Sequence, residues 1–241
     1  MNYMILAAGK GSRMGELGSY LQKCMFPILD RPFLALVLDS VLENRRFDPE
    51  ADRVVFVTGH RGDQIESYFT STWRGVQLRY VDQGPALGTA HAVLAGRSAC
   101  TAGDPVIVIQ GDVWAPPAYF ESIAASKAEN ILSAHRHTCD GRHDERLDLD
   151  ENRVTRAFQG SGPFVECGIW KFSPAMLRYM MSRKTDEYRA LASVQAAIED
   201  RQEVTAVEQE TWIHLGGTEP SVRDNLAAVT RFFLDMAPSW Y

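Results

Sequence analysis

An apolar run, Tyr3-Met4-Ile5-Leu6, passes without a break into Ala7-Ala8-Gly9-Lys10-Gly11-Ser12-Arg13-Met14. A buried strand delivered straight into a glycine-punctuated turn restricts what the chain can build. The turn must sit at the strand's carboxyl end, and Gly9 and Gly11 let its N–H groups face a cavity. Lys10 and Arg13 add fixed positive charge, and the planar Arg13 guanidinium suits phosphate oxygens. Lys23 follows, just ahead of Cys24-Met25-Phe26-Pro27-Ile28. The loop is not a dinucleotide fingerprint, because Met14 stands where a third glycine is needed, and it lacks the Gly-Lys-Ser/Thr ending of a P-loop. Taken singly, it also reads as a tight strand-to-helix turn with two solvated cations.

Strand-like and helix-like segments alternate through the first half. Pro32 opens a helix that carries Leu34, Leu36, Val37, Leu38 and Val41 inward. Val54–Val57 is the next buried strand, closed by Thr58-Gly59-His60, and Asp63 is placed to cap a short helix bearing Ile65 and Phe69. Val76–Val81 is a third strand, Gly88-Thr89 starts another helix, and Val106–Ile109 is a fourth strand ending at Gly111-Asp112. Such alternation predicts a Rossmann-like α/β fold, a mixed but mostly parallel sheet flanked by helices. Ligands then collect where the loops after Leu6, Val57, Val81 and Ile109 converge. Further on, Ile131–Ala134 and Val165–Phe172 read as strands, and 136–152 as a polar hairpin arm or loop whose charges largely cancel. Ala175–Met181 and Leu191–Ile198 read as helices, Trp212–Leu215 as a last strand, and Val222, Leu226, Val229 and Phe233 as one face of a closing helix. We expect a single domain over 1–241, with halves meeting near residue 130.

The chain has 241 residues, 45% of them hydrophobic, enough for a substantial core. Its formal charge of −6 argues against a nucleic-acid partner, yet a local cluster of Lys10, Arg13 and Lys23 can still dominate one cleft. A nucleic-acid reading of the Arg- and His-rich stretch 136–156 is disfavoured by its many Asp and Glu residues. No stretch is long and apolar enough for a membrane span, so no membrane partner is expected. Cys24, Cys100, Cys139 and Cys167 have no paired metal spacing, which fits reduced thiols in a cytoplasmic protein.

The block Leu6-Ala7-Ala8-Gly9-x-Gly11-x-Arg13-Met14, with Lys23 and Pro27 at this distance, resembles the signature of the sugar nucleotidylyltransferases. These enzymes join a nucleoside triphosphate to a phosphorylated acceptor and release pyrophosphate. The resemblance implies that Gly9, Gly11 and Arg13 hold the β- and γ-phosphates, with Leu6, Ala7, Ala8 and Ser12, and later Gln83, Gly88 and Thr89, also binding the nucleotide. It implies that Lys23 lies between the α-phosphate and the acceptor phosphate, with Arg13 and Lys23 as the catalytic cations. A compact ammonium suits that place, because it neutralises equatorial oxygens without demanding one fixed geometry. Gly111-Asp112 ends an apolar strand at the ligand face. The resemblance makes Asp112 the main Mg²⁺ ligand, while Pro116 and Pro117 nearby leave open a capping role. In Gln83-Gly84-Pro85-Ala86-Leu87-Gly88-Thr89-Ala90-His91, the glutamine amide complements one edge of uracil or thymine, and Gly88 allows close approach of a base. This stretch resembles the base-recognition loop of uridylyl and thymidylyl members, among them the enzyme that makes UDP-N-acetylglucosamine, which favours UTP or dTTP. His91 reads as packed at the helix start. Family members are often oligomeric, so a homo-oligomer is an expectation by analogy. The end at Tyr241 leaves no expectation of the hexapeptide-repeat domain that some relatives carry.

The acceptor half, 131–241, departs from the family pattern. A Glu with a Lys partner is replaced by the run ending in Gln159, and the usual Asn-Thr-Gly by Glu166-Cys167-Gly168. Gln159, Glu166 and Gly168 are therefore the acceptor-binding candidates, with Glu166 facing an amino or hydroxyl group. Gln22 stands where the family usually has proline and is expected to loosen the loop. The closing Trp-x-Asp-x-Gly motif reads Trp212-Ile213-His214-Leu215-Gly216. Its second metal ligand thus becomes His214, a softer donor better matched to Mn²⁺ or Co²⁺ than to Mg²⁺. Two readings stay open: a transferase with an atypical phosphorylated acceptor, or a nucleotide-binding regulatory or partner subunit with a weakened metal site.

Overall fold

The computed structural model describes residues 1–136, 145–181, 189–216 and 219–236. Four strands form the parallel heart of the sheet: β1 (Asn2–Leu6), β2 (Arg53–Thr58), β3 (Val76–Asp82) and β4 (Val106–Gln110). Their spatial order is β3-β2-β1-β4, with Met4 paired to Val55 on one side and to Val108 on the other. Helices α1 (Phe33–Leu42), α2 (Gly62–Phe69) and α3 (Thr89–Arg97) make the crossovers. Near-continuous apolar strands are what a sheet covered on both faces requires. Tyr3 and Ile5 pack on one face with Phe33, Leu34 and Val37, while Met4 packs on the other with Val57, Val108 and Trp170.

After α4 (Pro117–Ala125) the sheet continues as β5 (Ile131–Arg136), β6 (Glu145–Asp150), β7 (Arg153–Gln159), β8 (Phe164–Phe172) and β9 (Thr205–Glu208). The long strand β8 is antiparallel to both β4 and β5 and so joins the two halves of one mixed sheet. Beyond β5 the order runs β9, β7, β6, and β6 also pairs back onto β8. Helix α5 (Ala190–Glu199) covers the second face, and α6 (Glu219–Met236) closes the first with Val229 and Phe233.

Several local expectations change. Within Trp212–Leu215, Ile213–His214 is the last strand as expected, but it pairs with Val113–Trp114 in a separate two-stranded sheet and does not join the main one. The last strand of the main sheet is β9, whose short run is masked in sequence by Gln and Glu on both sides. Met176–Met181 is a 3₁₀ segment rather than an α-helix. Asp63 lies within the first turn of α2, whose cap is Arg61 in the left-handed region, and Pro32 stands one residue outside α1. The tip of the expected polar arm, 137–144, and Cys139 with it, lie outside the described residues. So does the side chain of Val222. The arm's flanks form the β6–β7 hairpin. Cys24, Cys100 and Cys167 are free thiols. No helix among the described residues is long and apolar enough to cross a membrane.

Candidate active site

A cleft of about 900 Å³ opens at the carboxyl ends of β1, β3 and β4, where β8 and the β6–β7 hairpin form its far wall. Every candidate residue named above lines it except Arg13, whose side chain lies outside the described set. Arg13 itself sits in a 3₁₀ turn, Ser12–Met14, capped by Gly11 with φ 62°. That left-handed conformation favours glycine, and a Cβ there would stand 3.3 Å from Lys23 Cβ, so the glycine loop and the Lys23 segment touch. The loop after β2 does not line the cleft; it supports the glycine loop from behind, His60 N–H donating to the Ala8 carbonyl at 3.2 Å.

Lys23 begins the 3₁₀ turn Lys23–Met25, and its Nζ donates to Asp112 Oδ2 across the cleft floor. Burial raises the Asp112 carboxyl, but the charge and hydrogen bond of Lys23, with His214 nearby, outweigh it and hold the carboxyl below its usual range. Gln22 does not loosen this segment. It is 1% exposed, its Nε2 donates to the Ala7 carbonyl at 2.8 Å, and its Oε1 accepts from Cys24 N–H at 2.5 Å. Burial pushes the Cys24 thiol up to about 12, which makes it inert packing.

In the stretch before α3, Gln83 Nε2 donates to the Gly88 carbonyl at 3.1 Å and lies 3.2 Å from His91 Nδ1. Both amide protons are thus engaged by the loop, and Oε1 is the group left for a ligand. His91 therefore orients Gln83, beyond the packing role read for it in sequence. The Thr89 hydroxyl accepts from Ala190 N–H at 2.8 Å, tying the start of α3 to the start of α5.

On the far wall, Glu166 is buried, with its Oε1 accepting from Gly168 N–H and Trp170 Nε1, each at 2.6 Å. Burial first, then the charge of Glu145, push the Glu166 carboxyl up to about 8. Gly168 has φ 78°, and a Cβ there would meet the Gln110 side chain at 3.0 Å. Gln159, at the exposed end of β7, also reaches the cleft. Sequence reasoning missed Glu145 and Arg189, which line the same wall. Glu145 was concealed in a charge-rich arm, and only its position at the start of a period-2 strand marks it.

Residues 3–201 match the model of the MobA-like NTP transferase domain. The chain belongs to this family. A bifunctional protein GlmU from Paracidovorax citrulli is 37% identical over 113 residues, 47% of this chain and 22% of that protein. The GlmU of Xylella fastidiosa is 38% identical over the same shares. The chain therefore spans about a fifth of the length of these curated relatives. A UDP-glucose pyrophosphorylase complexed with UDP-glucose superposes with TM-score 0.79 at 14% identity, covering 98% of each chain. An inositol-1-phosphate CTP transferase from T. maritima superposes at 0.77 with 16% identity, covering 99% of this chain and 96% of that one. These likenesses establish the nucleotide-diphospho-sugar transferase fold, a mixed sheet flanked by helices.

For this family member a divalent cation can be tested against the donors present. Among the described residues no cluster of three or more His, Cys, Asp and Glu could hold a metal ion. One carboxylate, Asp112, fits a Mg²⁺ ion that takes its other ligands from phosphate oxygens and water. His214 fits less well. Its Nδ1 accepts from Gly216 N–H at 3.0 Å, and the ring stacks on Trp212 with centroids 4.4 Å apart. The Nδ1 lone pair is thus already engaged within the chain.

Proposed function

We propose that the chain condenses a nucleoside triphosphate, UTP or dTTP by preference, with a sugar 1-phosphate or similar phosphorylated acceptor. The observation that carries this reading is one cleft that holds the glycine loop, the Lys23–Asp112 pair and the Gln83 loop opposite Glu166. Residues 1–130 bind the nucleotide and 131–241 the acceptor. An acceptor phosphate oxygen attacks the α-phosphorus in line, the bond from α-phosphorus to the bridging oxygen breaks, and pyrophosphate leaves. No general base is needed, because the attacking phosphate is already an anion. Glycine-loop amides and Arg13 bind the β- and γ-phosphates, while Lys23 exchanges its bond to Asp112 for oxygens of the α-phosphate and acceptor phosphate. A Mg²⁺ ion, held by Asp112, supplies further charge neutralisation when bound. Gln83 Oε1 accepts from N3–H of uracil or thymine. Glu166, Gln159 and the Gly168 backbone bind the acceptor. The free buried thiols agree with a cytoplasmic setting.

The test is pyrophosphate release from purified protein with UTP, dTTP, CTP, GTP and ATP against a panel of sugar and amino-alcohol phosphates, with Mg²⁺, Mn²⁺ and Co²⁺ in parallel. Release with one triphosphate and one acceptor names the substrates. Silence across the panel, with a triphosphate still raising the melting temperature, favours the second reading, a nucleotide-binding regulatory or partner subunit. The specific observation behind that reading is the histidine at 214, whose Nδ1 already accepts from Gly216 N–H.

A further inference from the structure

The Gln22 side chain hydrogen-bonds the turn carrying Lys23 to Ala7, at the start of the glycine loop. Gln22 links the Ala7 carbonyl to Cys24 N–H, closing a bridge around the residue between them, Lys23. Its own N–H donates to Gln64 Oε1 at 2.8 Å, and Gln64 Nε2 donates to the Tyr20 carbonyl at 2.8 Å. Its carbonyl accepts from Met25 N–H at 2.9 Å. Four bonds thus converge on a residue that is 1% exposed, where a lost partner is not replaced by water. We infer that Gln22 is a positioning residue: it holds the Lys23 ammonium in register with the amides of the glycine loop. The charge that meets the α-phosphate and the amides that meet the β- and γ-phosphates then keep a fixed spacing. This inference rests on the transferase reading above.

The backbone allows two separate perturbations. Gln22→Met keeps the chain path and the N–H but removes both side-chain bonds. Gln22→Pro is compatible with φ −64° and ψ 130° at this position and with the extended Leu21 before it, so it restrains the path while removing the side-chain bonds and the N–H donated to Gln64. A misplaced reacting group can cost about 100-fold, so Gln22→Met is expected to lower kcat about 10- to 100-fold with little change in KM for the triphosphate. Gln22→Pro is expected to recover part of that loss.

The deciding measurement is a double-mutant cycle with Lys23→Ala, read as pyrophosphate release with melting temperatures alongside. If Gln22 acts through Lys23, Gln22→Met changes the residual rate of Lys23→Ala by less than about twofold. The full penalty in that background, or a single-variant kcat within about twofold of the native protein, overturns the inference. Should the native protein release no pyrophosphate, the transferase reading fails by itself. Amide hydrogen exchange then decides about Gln22: exchange at Cys24 about tenfold faster in Gln22→Met supports the bridge, and unchanged exchange overturns it.

Discussion

Lys23 donates a hydrogen bond to Asp112, a residue 89 positions further along the chain. The pair joins the end of β4 to the turn beside the glycine loop, and so brings a compact cation and a hard oxygen donor into one cleft. Lys23→Ala removes the cation that the proposed reaction uses only as charge builds on the transferring phosphate. We expect kcat to fall about 100- to 1,000-fold with the fold intact, while the melting temperature drops as Asp112 loses its partner. Near-native turnover would remove Lys23 from the chemistry.

The same pair sets an acid limit on stability. The folded Asp112 carboxyl lies below its usual 3.8, so its contribution is complete above that value and is lost as pH falls below it, through the folded value. Asp112→Asn should erase this part of the acid dependence. Melting temperatures of both proteins, followed from pH 7 to below pH 3.8, should approach each other toward the acid end.

Glu166 has the opposite sign. With an ordinary value of 4.5 and a folded value of about 8, the folded state binds the extra proton between those limits, so stability declines as pH rises across that window. Glu166→Gln should flatten the decline. If Glu166 also contacts the acceptor, KM for the acceptor should change between pH 7 and 9 in the native protein and stay flat in the variant. A parallel pH profile in both proteins would exclude Glu166 from acceptor binding.

Gly168 holds the turn in β8 that directs its N–H to Glu166. Gly168→Ala must accept φ 78° and a Cβ 3.0 Å from Gln110, and should destabilise the fold by about 1–3 kcal/mol. Urea denaturation measures this directly, and a loss below about 0.5 kcal/mol would show that the turn relaxes freely.

Much of the nucleotide half was legible because its signals are local. Apolar runs at β1, β2 and β4, and glycines at fixed offsets from them, declare strands and turns within a few residues. Elsewhere the same local reading misled. Gln22 looked like a loosened loop, because a buried glutamine gains its meaning only from the carbonyl and amide it reaches. β9 was missed, because its pairing partner β5 lies more than 70 residues earlier and its own apolar content is small.

The sequence by itself determined the alternation of strands and helices, the glycine loop and the types of charged group available to one site. Tertiary structure decided which of those groups meet. It set Lys23 against Asp112, aligned Glu145 with Glu166, and committed His214 Nδ1 to Gly216. The physical reason is one of range. Backbone geometry is encoded between neighbours, whereas protonation, ligand donors and hydrogen-bond saturation depend on atoms that approach only when the whole sheet has closed.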